Sequence, residues 1–260
     1  MLFGYCLPRK MNMNRVSRLF SVGIATLLAA ALATLSHSAM AQRYGYYDDY
    51  SGPQFFVGGS IGPSFFSDQS GNTASWLNSN YVSTTSLSAG DYIVSYGNQD
   101  HTELGGKVYG GAWFTPNVGA EIGYASLGRV RWWVNSNNST GAFSVSDTGT
   151  VEPWALYESL LAGFNSYGIK YFAKAGAYEA STRLRASDFD NNSFSSFRVA
   201  QTVDNTGPMF GLGLSTPFGR HSALRVEVED FVNVGDSSTT NLPPWRGNIV
   251  LLTAGYSYVF

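Results

Sequence analysis

The sequence predicts an eight-stranded antiparallel up-and-down β-barrel that spans a membrane, and composition gives the first two reasons. Charged residues make up 13% of the chain, where about 25% is usual, and glycine and aromatic residues are abundant, which favours closely packed strands. After residue 41, no run of 18 or more apolar residues could form a spanning helix. Only a closed barrel then satisfies every backbone hydrogen bond inside a bilayer.

The first 41 residues predict a secretory signal peptide. A basic start precedes the apolar run 19–35, and Ala39-Met40-Ala41 has the small-x-small form of a cleavage site. We predict cleavage after Ala41, a flexible leader over 42–53 and a barrel over 54–260. A membrane-anchoring helix is the weaker alternative, because the run is only about 17 residues long and no stop-transfer charges follow it. The long basic segment leaves three possible translation starts: Met1, Met11 and Met13.

Eight segments with alternating polarity follow the signal, and the connections between them give the third reason for a barrel. The predicted strands are 54–66, 103–115, 118–131, 154–164, 169–185, 208–218, 224–234 and 248–260. Long polar loops are predicted up to about Asp100, over 135–149, over 188–206 and around Pro243-Pro244, with short turns at Asn117, Ser166 and Arg220. An even strand number with alternating long and short connections predicts four long extracellular loops and short periplasmic turns. A soluble β-sandwich predicts no such asymmetry.

Residue parity within the strands predicts which face meets the lipid. In the seventh strand, apolar side chains alternate with charged ones: Leu224, Val226 and Val228 against Arg225, Glu227 and Glu229. A lysine or arginine on the lipid face at mid-bilayer costs about 2–4 kcal/mol, so the charged parity is predicted to face the lumen. In the fourth strand Glu158 shares the parity of Leu160, and its orientation stays open because a bulge could shift the register.

Several segments resemble the transmembrane domain of the outer-membrane protein A family. The sequence GGAWFTPNVGAEIGYASLGR at 110–129 resembles that family's second strand, turn and third strand. The segments FFVGGSIG at 55–62, RVEVEDFVNVGD at 225–236 and GYSYVF at 255–260 resemble its first, seventh and last strands. The resemblance implies an integral outer-membrane protein exported through a cleaved signal. The chain stops at Phe260, so the peptidoglycan-binding domain of many members is not expected.

The resemblance also implies two sets of site residues. Glu121, Lys174, Arg225 and Glu227 match charges of the family's lumen, while Ser60, Leu161 and Ser215 stand where the family has further charges. Two acids and two bases balance, which predicts a closed ion-pair network, with a regulated pore as the alternative. Tyr256, Tyr258 and Phe260 match the terminal aromatic signal that the barrel-insertion machinery reads in many outer-membrane barrels.

No catalytic, metal or cofactor site is expected after the signal. That part of the chain contains no cysteine and two histidines, His101 and His221. The pair His221-Ser222 invites comparison with lipid A deacylases, but it lacks their spacing and lies in a predicted periplasmic turn. The acids Asp188, Asp190 and Asp236 are scattered over predicted loops, which is typical of solvated carboxylates rather than metal ligands.

Charge and surface composition predict the partners. Without the signal the chain has 12 basic and 18 acidic side chains, a net charge of −6, which disfavours nucleic acid binding. We expect a monomer in contact with outer-membrane lipid and lipopolysaccharide, with a structural role or a cell-surface ligand bound through the loops. A narrow channel for small solutes and a soluble lipocalin-like carrier are the alternatives.

A lipid-interface girdle, or alternatively a carbohydrate platform, is predicted from eight aromatic residues: Tyr124, Trp132, Trp133, Trp154, Tyr171, Tyr256, Tyr258 and Phe260.

Overall fold

The computed structural model describes residues 52–69, 74–75, 93–138, 144–190, 195–236 and 245–260. The predicted signal peptide, the predicted cleavage site at Ala39 and Ala41, and the predicted loop centres Ser79, Asn192 and Ser238 lie outside these residues. The strands are β1 (Gln54–Phe66), β2 (Ile93–Gln99), β3 (Thr102–Trp113), β4 (Val118–Ser126), β5 (Val130–Asn138), β6 (Ser144–Ser166), β7 (Ile169–Asp190), β8 (Ser195–Pro217), β9 (Ser222–Asp236) and β10 (Trp245–Val259).

Eight of these strands form a closed antiparallel ring. The order around the ring is β1, β3, β4, β6, β7, β8, β9 and β10, and β1 pairs with β10 to close it. The two remaining strands lie at one end of the ring. There β5 pairs with the part of β6 that lies beyond β4, and β2 pairs with β5. The predicted eight-stranded barrel is therefore confirmed. Two of its strands are interrupted: one is divided into β2 and β3, and the next into β4 and β5.

The interruption between β4 and β5 follows from a proline in the neighbouring strand. Leu127 donates its backbone N–H to the Pro153 carbonyl at 3.0 Å, so the nitrogen of Pro153 also faces this side of β6. Proline has no N–H to offer the ladder. The chain leaves the ladder there over Leu127–Arg129 and turns at Gly128, whose φ is +97°.

The strands continue beyond the segments that hydrophobic alternation marks, so three predicted loop boundaries are wrong. The expected loop over 135–149 is largely the end of β5 and the start of β6, and the loop over 188–206 is largely the end of β7 and the start of β8. Strand β2 lies within the stretch predicted as loop up to Asp100. Backbone pairing needs no apolar side chains once a strand has left the lipid. One side of the barrel is therefore taller than the other. Its strands β6, β7 and β8, which we call the tall wall, have 22 or 23 residues, whereas β1, β9 and β10 have 13 to 15.

Side-chain exposure follows the parity that the sequence predicts. In β9, Leu224, Val226 and Val228 are exposed on the outside, while the charged residues between them are buried. Glu158 lies on the outer face with Leu156 and Leu160. The prediction is wrong for one residue of the aromatic girdle at the lipid interface. Trp132 faces the interior and is 6% exposed. The position of Trp132 in β5, after the break at Leu127–Arg129, reverses the parity expected for it.

Candidate functional site

The barrel interior contains a layer of six charged side chains, which we call the charged layer: Lys107, Glu121, Lys174, Arg225, Glu227 and Glu229. They come from β3, β4, β7 and β9, all at inward positions, and none is more than 4% exposed. Four of them are the residues predicted from the sequence. Lys107 and Glu229 complete the set, so that three acids face three bases and the layer is electrically neutral.

Each acid in the charged layer contacts at least two cations. Glu121 accepts from Lys174 at 2.9 Å and also from Arg225. Glu227 binds the guanidinium of Arg225 through both carboxylate oxygens, at 2.7 and 3.0 Å. Glu227 also lies 2.9 Å from the Lys107 amine and contacts Lys174.

The third acid, Glu229, links the two lysines. Its carboxylate oxygens lie 2.6 Å from Lys107 and 2.6 Å from Lys174. The desolvation of six ions is costly, and only such complete pairing offsets it. The charged layer is therefore a single network in which every member depends on the others.

Aromatic rings surround the charged layer. The Tyr157 hydroxyl donates to Glu121 at 2.9 Å, and the Arg225 guanidinium carbon lies 4.6 Å from the Tyr109 ring centre and 4.5 Å from that of Phe172. Cations over ring faces gain cation–π stabilisation, which grows as water is excluded. Glycines make room for the rings, since a Cβ at Gly123 would clash with Tyr157 and one at Gly213 would clash with Phe172. Part of the glycine excess in the sequence thus serves interior packing.

Apolar side chains fill the interior on the side of the charged layer away from the short turns. This apolar layer consists of Phe66, Leu127, Val130, Trp132, Val134, Val151, Leu184, Val203, Phe231, Val234, Trp245 and Ile249. Each is at most 8% exposed. Ala74, in the connection between β1 and β2, packs against the same cluster. The interior is therefore filled with side chains above the ions as well as around them.

The turn end of the interior has a separate cation. The Lys170 amine lies 3.7 Å from the Trp113 ring centre and donates to the Pro116 carbonyl at 3.0 Å. This contact ties the start of β7 to the turn between β3 and β4. A cavity of about 30 Å³ lies nearby, bordered by Phe56, Trp113 and Arg225. It is about the size of one water molecule.

The three carboxylates of the charged layer are the one group of potential metal ligands within the described ranges. Glu121, Glu227 and Glu229 offer oxygens within 4.8 Å of one another. Each carboxylate already binds lysine or arginine, so a divalent cation would have to displace those side chains. The donor set therefore suits an internal ion-pair network better than a metal site.

The histidines considered as catalytic candidates have other contacts. His221 Nδ1 lies 3.1 Å from the Val259 carbonyl oxygen, and its ring stacks on Tyr258. The Ser222 hydroxyl contacts Tyr256 rather than His221. His101 is exposed at the junction of β2 and β3. The three terminal aromatics Tyr256, Tyr258 and Phe260 are exposed on the outer face at the end of β10.

The four-residue network predicted from the sequence lacks Lys107 and Glu229, although residue parity in the seventh strand predicts that Glu229 faces the lumen. Glu229 shares the parity of Arg225 and Glu227, and that alternation was a sufficient signal for an inward position. Lys107 lies in a glycine-rich strand, where the gaps left by Gly105, Gly106, Gly110 and Gly111 obscure the alternation. Charge balance gives a second signal, because an added acid in a buried layer calls for an added base.

The closed ring, the exposed apolar belt and the buried charges define this protein as an integral β-barrel of the bacterial outer membrane. The OmpA-like transmembrane domain matches residues 51–260, and the chain belongs to this family. The resemblance noted in the sequence is thereby confirmed, as is the location in the outer membrane. Among the described residues, no helix is long and apolar enough to cross a bilayer.

Two relatives have the name outer membrane protein A. The protein of Klebsiella aerogenes is 25% identical over 240 residues, which cover 90% of this chain and 55% of that protein. The protein of Klebsiella pneumoniae is 28% identical over 170 residues, covering 61% of this chain and 41% of that protein. The chain thus spans about half the length of these curated relatives.

Solved structures with some similarity include two bacterial proteins. Ail, the attachment invasion locus protein of Yersinia pestis, aligns with a TM-score of 0.41 at 12% identity, covering 80% of this chain and 99% of Ail. Neisserial surface protein A aligns with a TM-score of 0.39 at 14% identity, covering 79% of this chain and 97% of that protein.

Proposed function

We propose that this chain is a closed outer-membrane barrel with a structural and surface-interaction role. The observation that carries the proposal is the filled interior, in which a neutral charged layer lies next to an apolar layer. An ion crossing the barrel would have to separate buried ion pairs and then pass between the packed apolar side chains. Both steps are costly, because unpaired charges in such surroundings lose solvation without compensation. A narrow channel is the alternative that conductance would distinguish.

Planar-bilayer recording tests this proposal. The wild-type protein is expected to show no steady conductance. Arg225→Ala removes the contacts of Arg225 with Glu121 and Glu227, so we expect this variant to unfold at a lower temperature in detergent and to admit ions. Arg220→Ala, in the turn between β8 and β9, is the control and should change neither property. Steady wild-type conductance, with Arg225→Ala unchanged in current and stability, would establish the channel instead.

We further propose that the tall wall projects outside the cell and that the short turns face the periplasm. The long strands β6, β7 and β8 at one end of the barrel and the short turns at the other support this orientation, because outer-membrane barrels have short periplasmic turns and longer extracellular connections. Single cysteines at Ser79, Asn137, Asn192 and Ser238 are expected to react with an impermeant label on intact cells. Cysteines at Asn117, Ser166 and Arg220 should react only after lysis, and labelling of Asn117→Cys on intact cells would reverse the orientation.

The same proposal covers the oligomeric state, the insertion machinery and a cell-surface ligand. The barrel acts as a monomer without cofactor or enzymatic activity, and Tyr256, Tyr258 and Phe260 form the signal for the insertion machinery. Their exposure at the end of the last strand supports an interaction with that machinery. A cell-surface ligand binds through the outer connections. Shortening each connection in turn, and scoring binding to host matrix, phage and neighbouring cells, tests which connection is involved.

A further inference from the structure

Three alanines form the floor of a groove on the lipid-facing side of the barrel. Ala173, Ala175 and Ala177 are successive outward residues of β7, and all three are exposed. Leu160 on β6 and Phe210 on β8 flank this row and are 68% and 53% exposed. We call the groove between these two side chains the alanine trough. The part that Ala173 and Ala175 line has a volume of about 710 Å³.

The strand register sets the width of the alanine trough. Leu160 pairs with Ala175, and Ala175 pairs with Phe210. Since neighbouring strands lie about 4.8 Å apart, the two flanking side chains start about 10 Å from each other. An α-helix has an overall diameter of about 10–12 Å, and small residues let a helix backbone come close to a neighbouring backbone. The alanine trough therefore has the width of one helix.

An acid stands beside the alanine trough at the middle of the apolar belt. Glu158 lies on the outer face of β6, at the next outward position from Leu160, and it pairs with Ala177. Trp154 and Phe164 mark the two aromatic ends of this face of β6. About 13 Å of strand separates Glu158 from Trp154, and about 20 Å separates it from Phe164. The carboxylate is therefore within the belt and not at its edge.

The charges that face outward around Glu158 are all negative. Glu179 lies at the end of the alanine trough away from the short turns, Asp204 lies beyond it on β8, and Asp230 lies on β9. One carboxylate oxygen of Asp230 is buried without a hydrogen-bond partner among the described residues. On β4, β6, β7, β8 and β9, the outward positions nearer the short turns than Arg183 hold no lysine or arginine. Glu158 has neither an ion pair nor a hydrogen bond within the described strands.

An unpaired charge on a lipid-facing surface is unfavourable, and ionisable residues in a membrane usually have a partner. Lipid chains supply no counter-charge to Glu158, whereas a protein segment can. A helix that carries a lysine or arginine at the same depth has the opposite charge in the same surroundings. Contact between the two charges relieves both.

We propose that the alanine trough docks a membrane-embedded helix of a partner protein, and that a lysine or arginine of this helix pairs with Glu158. An acyl chain could fill the trough, but it has no cation for Glu158. A second barrel is convex and wider than the trough, so it would touch Leu160 and Phe210 without reaching the alanines. The width of the trough and the acids around it together favour a basic helix.

Binding of synthetic helices to the full chain in phosphatidylcholine vesicles tests this inference. The probes are three dansyl-labelled leucine–alanine peptides that span a bilayer and differ in one central residue, which is arginine, glutamine or leucine. Energy transfer from the tryptophans of the barrel to the dansyl group measures binding. We expect the arginine peptide to bind the wild-type chain about tenfold more tightly than the other two, the effect of one charge-assisted contact.

Two variants with matched controls locate the site. Glu158→Gln should weaken binding of the arginine peptide about tenfold, to the level of the glutamine peptide. Glu152→Gln makes the same change on the same face of β6 but beyond Trp154, so its affinity should stay within about twofold of wild type. Ala175→Phe fills the trough and should abolish binding of all three peptides.

The control for the trough itself is Ala254→Phe, the same change on the exposed outer face of β10. It should leave the binding of all three peptides unchanged. All four substitutions are on the outer face, so the barrel is expected to fold. A difference in electrophoretic mobility between unheated and heated samples measures the folded fraction of each variant.

Three outcomes would overturn the proposal. Equal affinity of the wild-type chain for all three peptides would exclude pairing with Glu158, and equal effects of Ala175→Phe and Ala254→Phe would exclude the trough. Energy transfer between donor-labelled and acceptor-labelled barrels, each labelled at Ser166→Cys, would assign the trough to a second copy of this chain if Ala175→Phe removes it. The site depends neither on the orientation of the barrel nor on a closed lumen, so wild-type conductance would reject the proposed function alone.

Discussion

The charged layer and the apolar layer fill the same barrel by different physics. In the charged layer, six ions are held by complete pairing, so the free energy of each depends on the presence of the others. In the apolar layer, residues such as Ile249 and Val234 are fully buried and contribute through volume and contact. The charged layer should therefore respond to any imbalance of charge, and the apolar layer to any loss of volume.

The largest effect is expected from removing the most connected ion. Glu227 contacts all three cations of the charged layer, so Glu227→Ala leaves a buried net positive charge. We expect a loss of about 3–5 kcal/mol in the free energy of unfolding, measured by denaturant titration in detergent.

Glu152→Ala is the matched control for that substitution. Glu152 also contacts two arginines, but it lies on the outer face where their side chains are 58% and 46% exposed. Exposed pairs contribute about 0–1 kcal/mol. Equal losses for the two variants would contradict the distinction between a buried network and a surface pair.

A somewhat smaller effect is expected in the apolar layer. Ile249 is 0% exposed, and Ile249→Ala should cost about 2–5 kcal/mol through lost burial and the cavity left behind. Leu252→Ala is the control on the same strand, since Leu252 is 41% exposed on the lipid face. Denaturant titration of both variants should show a loss for Ile249→Ala alone, and a larger loss for Leu252→Ala would mean that the outer belt, not the interior, determines stability.

The sequence predicted the lipid-facing part of the barrel better than the strand ends of the tall wall. Leu224, Val226 and Val228 reveal their strand because one face meets lipid and the other meets buried ions. Residues such as Ser146, Thr148 and Thr150 lie in an equally regular strand. Their outward side chains meet water, so no alternation of apolar and polar residues is required. Loop and strand then look alike in a single sequence.

The charged layer was predictable in part for a related reason. Alternation within one strand locates Arg225, Glu227 and Glu229 on the inner face, and the family resemblance adds Glu121 and Lys174. Which residues meet across the barrel depends on the stagger of the strands, which single-strand patterns do not contain. Lys107 meets Glu229 only because β3 and β9 approach each other across the lumen, as their 2.6 Å contact records.

The smallest net effect is expected when a cation and an anion are removed together. Lys107→Met leaves an excess buried negative charge and Glu229→Leu an excess positive one, so each alone should cost about 3–5 kcal/mol. In the double variant the four remaining ions still form a closed cycle, in which Glu121 contacts Lys174 and Arg225, and Glu227 contacts both as well. We therefore expect a free energy of unfolding within about 1 kcal/mol of wild type, because apolar groups of similar volume often replace buried ion pairs without loss. The coupling energy from this double-mutant cycle would then be several kcal/mol, far above the roughly 0.5 kcal/mol expected for independent sites. If the two single losses simply add, the four-ion cycle is not stable by itself and the charged layer works only as a set of six.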